Sequence, residues 1–530
     1  MAGRSGDRGG DGENKAPQLA QHNPAQAIPV HLPNMTPADH AASTGTPGTT
    51  GTTVRNPAGH PAAHTVTMAT LVSLIIGSTL GSGIFALPQN IGSVAGPGAM
   101  LTGWVIAGVG MLAIAFVFQI LAQRTPHLDS GVYSYVRAGL GDFIGFTAGL
   151  GYWLGSVMAQ VGYATLFFGT LGYYLPVFQH QWVLAGAVSA LTWLIFAALT
   201  RGVKQAALMN VVVTIAKIVP IICFIVLVAF LGFSWDTFTS DFWGHSSGFT
   251  FSEQLQGIML YTVWVFIGIE GASVYSKQSK TRRDVGRATI IGFLSILALL
   301  VAVSALSYGV LTQEQLAALP DNSMAAVLEA VVGPWGGALI SCGLCLSVLG
   351  AYVSWQMLCA EPIVLMARDG LLPTRLGAVN AAGAPFAAQL VSTVVIQFFV
   401  VVFFANETSY NAMVQLATVM YLLPYIFSAL YLVILCTRRE PGATASNTRA
   451  HLAVGIVAFV YSLWLIYAAD PVYVLFGALA VVPGLIPYVW TKRHRGKRLF
   501  NAFEWCVVAL VVAAATVAIS GLVTGRLVLG

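Results

Sequence analysis

Long apolar runs recur along this chain from residue 68 to residue 526, and nothing constrains its fold more. A helix of about 20 residues, rising about 1.5 Å per residue, crosses about 30 Å of hydrocarbon, where only helices and closed barrels satisfy their own backbone. The runs read as thirteen spans, near 68–92, 97–122, 143–173, 182–200, 206–233, 255–276, 287–311, 333–366, 385–405, 409–437, 451–469, 471–490 and 502–526. They are too many for a signal peptide ahead of a soluble body. With 56% hydrophobic residues and 8% charged, against about 25% charged in soluble domains, a water-covered surface is excluded. The chain reads as an all-α polytopic membrane protein.

The basic residues test that count, because short cytoplasmic loops collect Lys and Arg. With the amino terminus inside, Arg124, Arg137, Arg201, Lys204, the run Lys277 to Arg287, Arg368, Arg375, Arg438 to Arg449 and "KRHRGKR" all fall on the cytoplasmic side. The loops assigned outside lack Lys and Arg. They are mildly acidic, with Asp236, Asp241 and Glu253 in one and Glu314, Asp321 and Glu329 in another. An odd count leaves the carboxyl terminus outside. The net charge of +5 then describes a cytoplasmic rim facing anionic lipid and says nothing of nucleic acid. All six cysteines fall within spans, and "CGLC" at 342–345, although it has a redox spacing, suits plain packing in an apolar helix. Residues 1–65, rich in Gly, Pro, Thr, Ala and His without an apolar period, are expected to form a disordered cytoplasmic tail.

Two spans break their own backbone. In "IIGSTLGSGIFALP", Ile75 to Pro88, three glycines (Gly77, Gly81, Gly83), neighbouring hydroxyl residues and a proline weaken the helix at mid-depth. In "WVFIGIEGAS", Trp264 to Ser273, Gly268 and Gly271 bracket Glu270 in the same way. Gly77 and Gly81 alone would also suit close helix packing. Paired with a matching defect five spans later, they point to an inverted-repeat transporter, spans 1–5 and 6–10 with three added, whose substrate sits where unwound backbone exposes N–H and C=O groups. Ser82 and Gly83 N–H groups suit a carboxylate there, and carbonyls of the opposing break suit an ammonium. Those are the two ends of an amino acid. Charges inside hydrocarbon persist mainly where they line a cavity or meet a partner, and away from their ends the spans hold three: Lys217, Glu270 and Glu361.

"GSGIF" at 81–85, "FIGIEGASVYS" and the trailing "RRDVGRAT" resemble the signatures of the amino acid/polyamine/organocation transporters, and within them the basic amino acid antiporters. The resemblance covers residues 66–440 and extends to Trp264, six residues before Glu270, to Trp355, fifteen before the glycine of "DGLLP", and to "YWLGSVMAQ" in the third span. It implies an inverted five-plus-five helix repeat (LeuT-like), about 66–233 and 255–437, with 441–530 as additional helices. It places Tyr152, Gly155, Ser156 and Gln160 at substrate-lining positions. Ser82 and Gly83 would bind the carboxylate, and the carbonyls of Thr79, Trp264 and Ile267 the α-amino group. Trp264 and Trp355 would stack on a cationic side chain. Lys217 would take the place that a sodium ion fills in other relatives, either as an ammonium bonded to first-span carbonyls or as a proton carrier. Gln160 departs from an expected asparagine. Glu361 departs from a neutral residue, and either pairs with the substrate's second cation or binds a neighbouring helix. The "EGASVYS" and "AEP" contexts together look closer to the arginine/ornithine and lysine-type exchangers.

The expected activity is exchange of external arginine, or another cationic amino acid, for internal ornithine or an amine by alternating access. Spans 1, 2, 6 and 7 would rock against the rest, with Glu270, Lys217 and Glu361 in gating and coupling. A proton-coupled uptake permease for lysine or arginine is the rival, since no motif separates exchange from symport. An intramembrane enzyme built on Glu270 and Glu361 is remote, because the spans carry no zinc-ligand spacing, Ser-His-Asp pattern or nucleotide loop. A sensor would need an output domain. No cofactor or metal is expected. The partners are the amino acid, its counter-substrate and the lipid bilayer, without nucleic acid, and a homodimer is left open. Arginine (18) outnumbers lysine (7), which suits a bacterial cell membrane protein from a GC-rich genome.

Overall fold

The computed structural model of the chain describes residues 68–125, 128, 131–202, 207–270, 282–406, 409–438 and 445–527. The tail expected to be disordered lies outside the described residues, as does the stretch after Glu270 that would complete the sixth span. The first span is two helices, α1 (Met68–Thr79) and α2 (Gly83–Gly92), followed by α3 (Pro97–Arg124), the short α4 (Val132–Leu140), α5 (Asp142–Tyr174), α6 (Gln181–Thr200) and α7 (Ala207–Leu227). A loop holding α8 (Trp235–Thr239) leads to α9 (Phe251–Trp264) and α10 (Arg282–Tyr308), then to the short α11 (Gln313–Ala317) and α12 (Ser323–Val332). The remaining helices are α13 (Pro334–Arg368), α14 (Phe386–Ala405), α15 (Tyr410–Thr437), α16 (Ala445–Ala468), α17 (Pro471–His494) and α18 (Ala502–Val523). Among the described residues, eleven helices are long and apolar enough to cross a membrane. The first expected span is divided between α1 and α2, and the sixth is described as α9 and the turn reaching Glu270.

The ends of the spans follow local chemistry. Pro97, Pro334 and Pro471 stand in the first turns of α3, α13 and α17, where a missing N–H costs nothing. Thr250 with Glu253, and Asn501 with Glu504, form reciprocal caps on α9 and α18.

The packing of the spans is symmetric under exchange of the two halves. Third span meets third (α5 with α13) and fourth meets fourth (α6 with α14). The fifth of each half meets the third of the other, α7 on α13 and α15 on α5. The second of each meets the broken first of the other, α3 on α9 and α10 on α1. An inverted repeat of five spans pairs its helices in this way. Beyond the two halves, α16 packs on α3 and α15, α17 on α15 and α5, and α18 on α17. Lipid supplies no hydrophobic drive between helices, so small residues that permit close contact matter. A Cβ at Gly155 would stand 2.9 Å from the Tyr421 ring, and one at Gly151 would stand 2.9 Å from the Met420 carbonyl. These glycines let α15 lie directly on α5 and bring its tyrosines to the centre.

Loop contacts separate two faces. On one, Gly98 N–H donates to Phe242 O at 2.7 Å and Ser234 N–H to Gly309 O at 2.9 Å. On the other, Arg137 pairs with Asp142 at 2.9 Å and Asp369 at 2.8 Å, while Lys492 pairs with Asp142 at 2.6 Å. The second face is the basic one.

Candidate functional site

A break inside a span leaves carbonyls at the end of one half-helix and N–H groups at the start of the next. Lys217, on α7 and 3% exposed, donates its ammonium to the carbonyls of Gly77 and Leu80, both at 2.8 Å. The cation therefore sits on the carbonyl end of α1, where the helix dipole also favours it. Both readings of this lysine, the ammonium tether and the proton carrier, start from these two bonds. Ser82 stands at the N-cap position of α2 without a side-chain capping bond and is fully buried.

The second break begins where α9 stops at Trp264. Phe266 N–H bonds Val263 O at 2.9 Å, Ile267 N–H bonds Trp264 O at 3.3 Å and Ile269 N–H bonds Phe266 O at 3.1 Å, so the chain runs on in tight turns. Gly268 has φ 107°, and a Cβ there would lie 2.7 Å from Ser78 O. A side chain at this position meets both backbone strain and a fixed carbonyl. The breaks also touch at Gly83, where a Cβ would stand 2.8 Å from Trp264 Cδ1. The indole edge thus closes over the first turn of α2.

Glu270 lies at the end of this turn, 6% exposed. Its carboxylate accepts Gly268 N–H at 3.0 Å, the Tyr152 hydroxyl at 3.0 Å and the Tyr425 hydroxyl at 2.9 Å. These three donors tie the second break to α5 and α15, and hydrogen bonds to a charged acceptor are the stronger kind. Tyr152 meets Tyr421 edge to face at 5.1 Å and Trp355 at 6.5 Å between ring centroids. Tyr421 is fixed by Ser156 Oγ at 2.9 Å.

The structure gathers most of the expected residues in two adjoining groups. A narrow cleft is lined by Thr79, Gly81, Gly83, Tyr163, Trp264 and Ile267, with Tyr163 and Trp264 rings 5.9 Å apart. Tyr152, Gly155, Ser156 and Trp355 form the aromatic group beside Glu270. Gln160 is fully buried, and its amide donates to Gln356 Oε1 at 2.7 Å and Tyr352 O at 3.1 Å, toward α13. Glu361 is exposed and shares the outer stripe of α13 with Met357 and Leu358, so it is not among the side chains gathered at Glu270 and Trp355. Six residues at about 100° each carry it about 240° round the helix from Trp355. Three tyrosines were not anticipated: Tyr163, Tyr421 and Tyr425. Their signal was helical spacing, since Tyr163 follows Tyr152 by about three turns and Tyr425 follows Tyr421 by about one.

The arrangement offers an N–H end, carbonyl ends and flat aromatic walls around a narrow cleft, with one carboxylate beside it. A family described as "Amino acid permease" matches residues 66–512. The "L-lysine transport protein" of Corynebacterium glutamicum is 63% identical over 482 residues, 88% of this chain and 96% of that protein. The "Arginine/ornithine antiporter" of Pseudomonas aeruginosa is 45% identical over 473 residues, 87% and 98% of the two chains. The "Arginine/agmatine antiporter" of Chlamydia pneumoniae is 38% identical over 471 residues, 86% and 96%. Matched in this way along most of its length, the chain belongs to the amino acid permease family of the amino acid/polyamine/organocation superfamily.

Proposed function

We propose that this chain is a secondary transporter of cationic amino acids in the bacterial cell membrane, exchanging arginine or lysine outside for ornithine or a related amino acid inside. The observation that carries the reading is the meeting of two broken helices at one buried cleft, with Gly83 against Trp264 and Gly268 against Ser78. There the N–H end of α2 suits a carboxylate, and carbonyls of Thr79, Trp264 and Ile267 suit an α-ammonium. The relatives favour lysine, arginine and ornithine over agmatine, since identity falls from 63% and 45% to 38% in that order. We read residues 66–440 as the transporting core and 441–530 as added helices, and the chain as a carrier rather than an enzyme.

In this scheme Glu270 links the substrate cleft to the bundle wall through Tyr152 and Tyr425. Trp264 must swing off Gly83 before a carboxylate can reach the first turn of α2. Alternating access follows when the α1/α2, α3, α9 and α10 group moves against α5, α6, α13 and α14.

Counterflow in liposomes tests this reading. Entry of labelled arginine or lysine is expected to require internal ornithine, arginine or lysine. Rapid entry into empty vesicles under a pH gradient would replace exchange with proton-coupled uptake, and no entry under any loading would remove the cationic substrate. Trp264→Leu is a second test. A cation over an aromatic face contributes about 0.5–2 kcal/mol, so arginine affinity should fall about two- to thirtyfold, and affinity for a short neutral amino acid much less. Equal losses for both would remove the stacking role.

A further inference from the structure

A second cavity, which shares no lining residue with the central cleft, lies on the acidic face between the end of α5, the loop before α12 and the start of α13. Its volume is about 170 Å³, and its walls include Thr170, Tyr173, Tyr174, Asp321, Asn322 and Glu329. One water takes about 30 Å³ of the liquid, so the cavity holds more than a single bridging water. Two walls are carboxylates, and no Lys, Arg or His lines the cavity among the described residues.

Two polar groups of its lining residues lack hydrogen-bond partners. Thr170 is 4% exposed, and its hydroxyl has no hydrogen-bond partner. On the same helix Thr147 and Thr165 bond carbonyls one turn back, at 3.0 and 2.9 Å. Thr170 forgoes that bond and borders the cavity instead. Asn322 donates its amide to Ser341 Oγ at 2.9 Å, while its buried Oδ1 has no partner. At the rim the Tyr173 hydroxyl donates to Glu329 Oε1 at 3.2 Å, and the Tyr173 and Tyr174 rings meet edge to face at 5.0 Å. Two carboxylates and an aromatic wall suit an organic cation that donates several hydrogen bonds.

We propose that this cavity is an outer docking site for an alkylammonium or guanidinium group, the side chain of a cationic amino acid, held by Asp321 and Glu329 before it enters the central cleft. The class of ligand rests on the transport reading above. The route inward is short in bonds. Ser323, beside Asn322, accepts Gln89 N–H at 3.1 Å and donates to Phe85 O at 3.4 Å, so the docking loop is fastened to α2, the half-helix that opens the cleft.

Burial raises the Asp321 carboxyl from 3.8 to about 6. Its charge is therefore present above that pH and lost below it, and attraction for a cation is lost with it. The titratable groups facing it are Glu329, Tyr173 and Tyr174 across the cavity and Tyr261 and Tyr410 from α9 and α15, all acids.

The test is the KM for external labelled L-lysine in right-side-out vesicles loaded with L-lysine. Asp321→Asn is expected to raise it about fivefold at about pH 7.5, with the maximal rate and the KM at the inner face within about twofold. At about pH 5 the wild-type KM should rise to meet that of the variant. Glu329→Gln keeps the shape and should raise the external KM alone, which serves where Asp321→Asn fails to fold. External n-pentylamine, which has no carboxylate for the central cleft, should inhibit the wild type competitively and Asp321→Asn several times less. A wild type that exchanges lysine while both variants keep its external KM at either pH overturns the docking site alone, as does inhibition by calcium in place of n-pentylamine. A wild type that moves no cationic amino acid overturns the transport reading instead.

Discussion

Glu270→Gln is expected to reduce exchange of labelled lysine or arginine in liposomes by about a hundredfold or more, with the purified protein still folded. The carboxylate holds one backbone N–H and two tyrosine hydroxyls within 3.0 Å, from the second break, α5 and α15. A hydrogen bond to a charged group contributes about 1.5–3 kcal/mol, and a neutral amide of the same shape keeps only part of each. Loss of about 3 kcal/mol is a factor of about a hundred. The amide still fills the space, so the thermal midpoint should move little compared with the rate. Tyr152→Phe and Tyr425→Phe each remove one donor and should give smaller, graded losses. Exchange at the wild-type rate in Glu270→Gln would take this carboxylate out of the mechanism.

The fold was largely legible because membrane spans announce themselves by length and by their punctuation. Pro97, Pro334 and Pro471 mark three starts directly, and the observed helices begin at those residues. The breaks were legible because glycine was needed for two separate reasons: the positive φ of Gly268 and the close approach of Trp264 to Gly83. The tyrosines were harder to see. An aromatic residue at helical spacing in an apolar span looks the same whether it packs or faces a cleft, and the difference for Tyr163 and Tyr425 lies in how α5 and α15 are rotated. Rotation is a tertiary property, set here by which glycines let which helices touch. The same ignorance applied to Glu361, whose charge was plain in the sequence while the face of α13 that carries it was not.

Lys217→Met should lower exchange by about two orders of magnitude and, unlike Glu270→Gln, lower the thermal midpoint as well. Methionine fills similar volume but leaves the Gly77 and Leu80 carbonyls without their 2.8 Å donor inside the protein. Each buried acceptor left unmade costs about 1–3 kcal/mol, and both stand at the break that must keep its shape for α2 to present its N–H groups. If the Lys217 ammonium holds the two carbonyl ends in place of a bound cation, wild-type exchange should be unchanged when choline replaces sodium. The outcome also decides between the two roles considered for this lysine. Loss of rate with loss of stability at every pH is the signature of a tether. Retained exchange whose dependence on pH has disappeared would mean that Lys217 carries a proton, and the bonds to α1 would then be the resting place of that proton rather than the clasp of the broken helix.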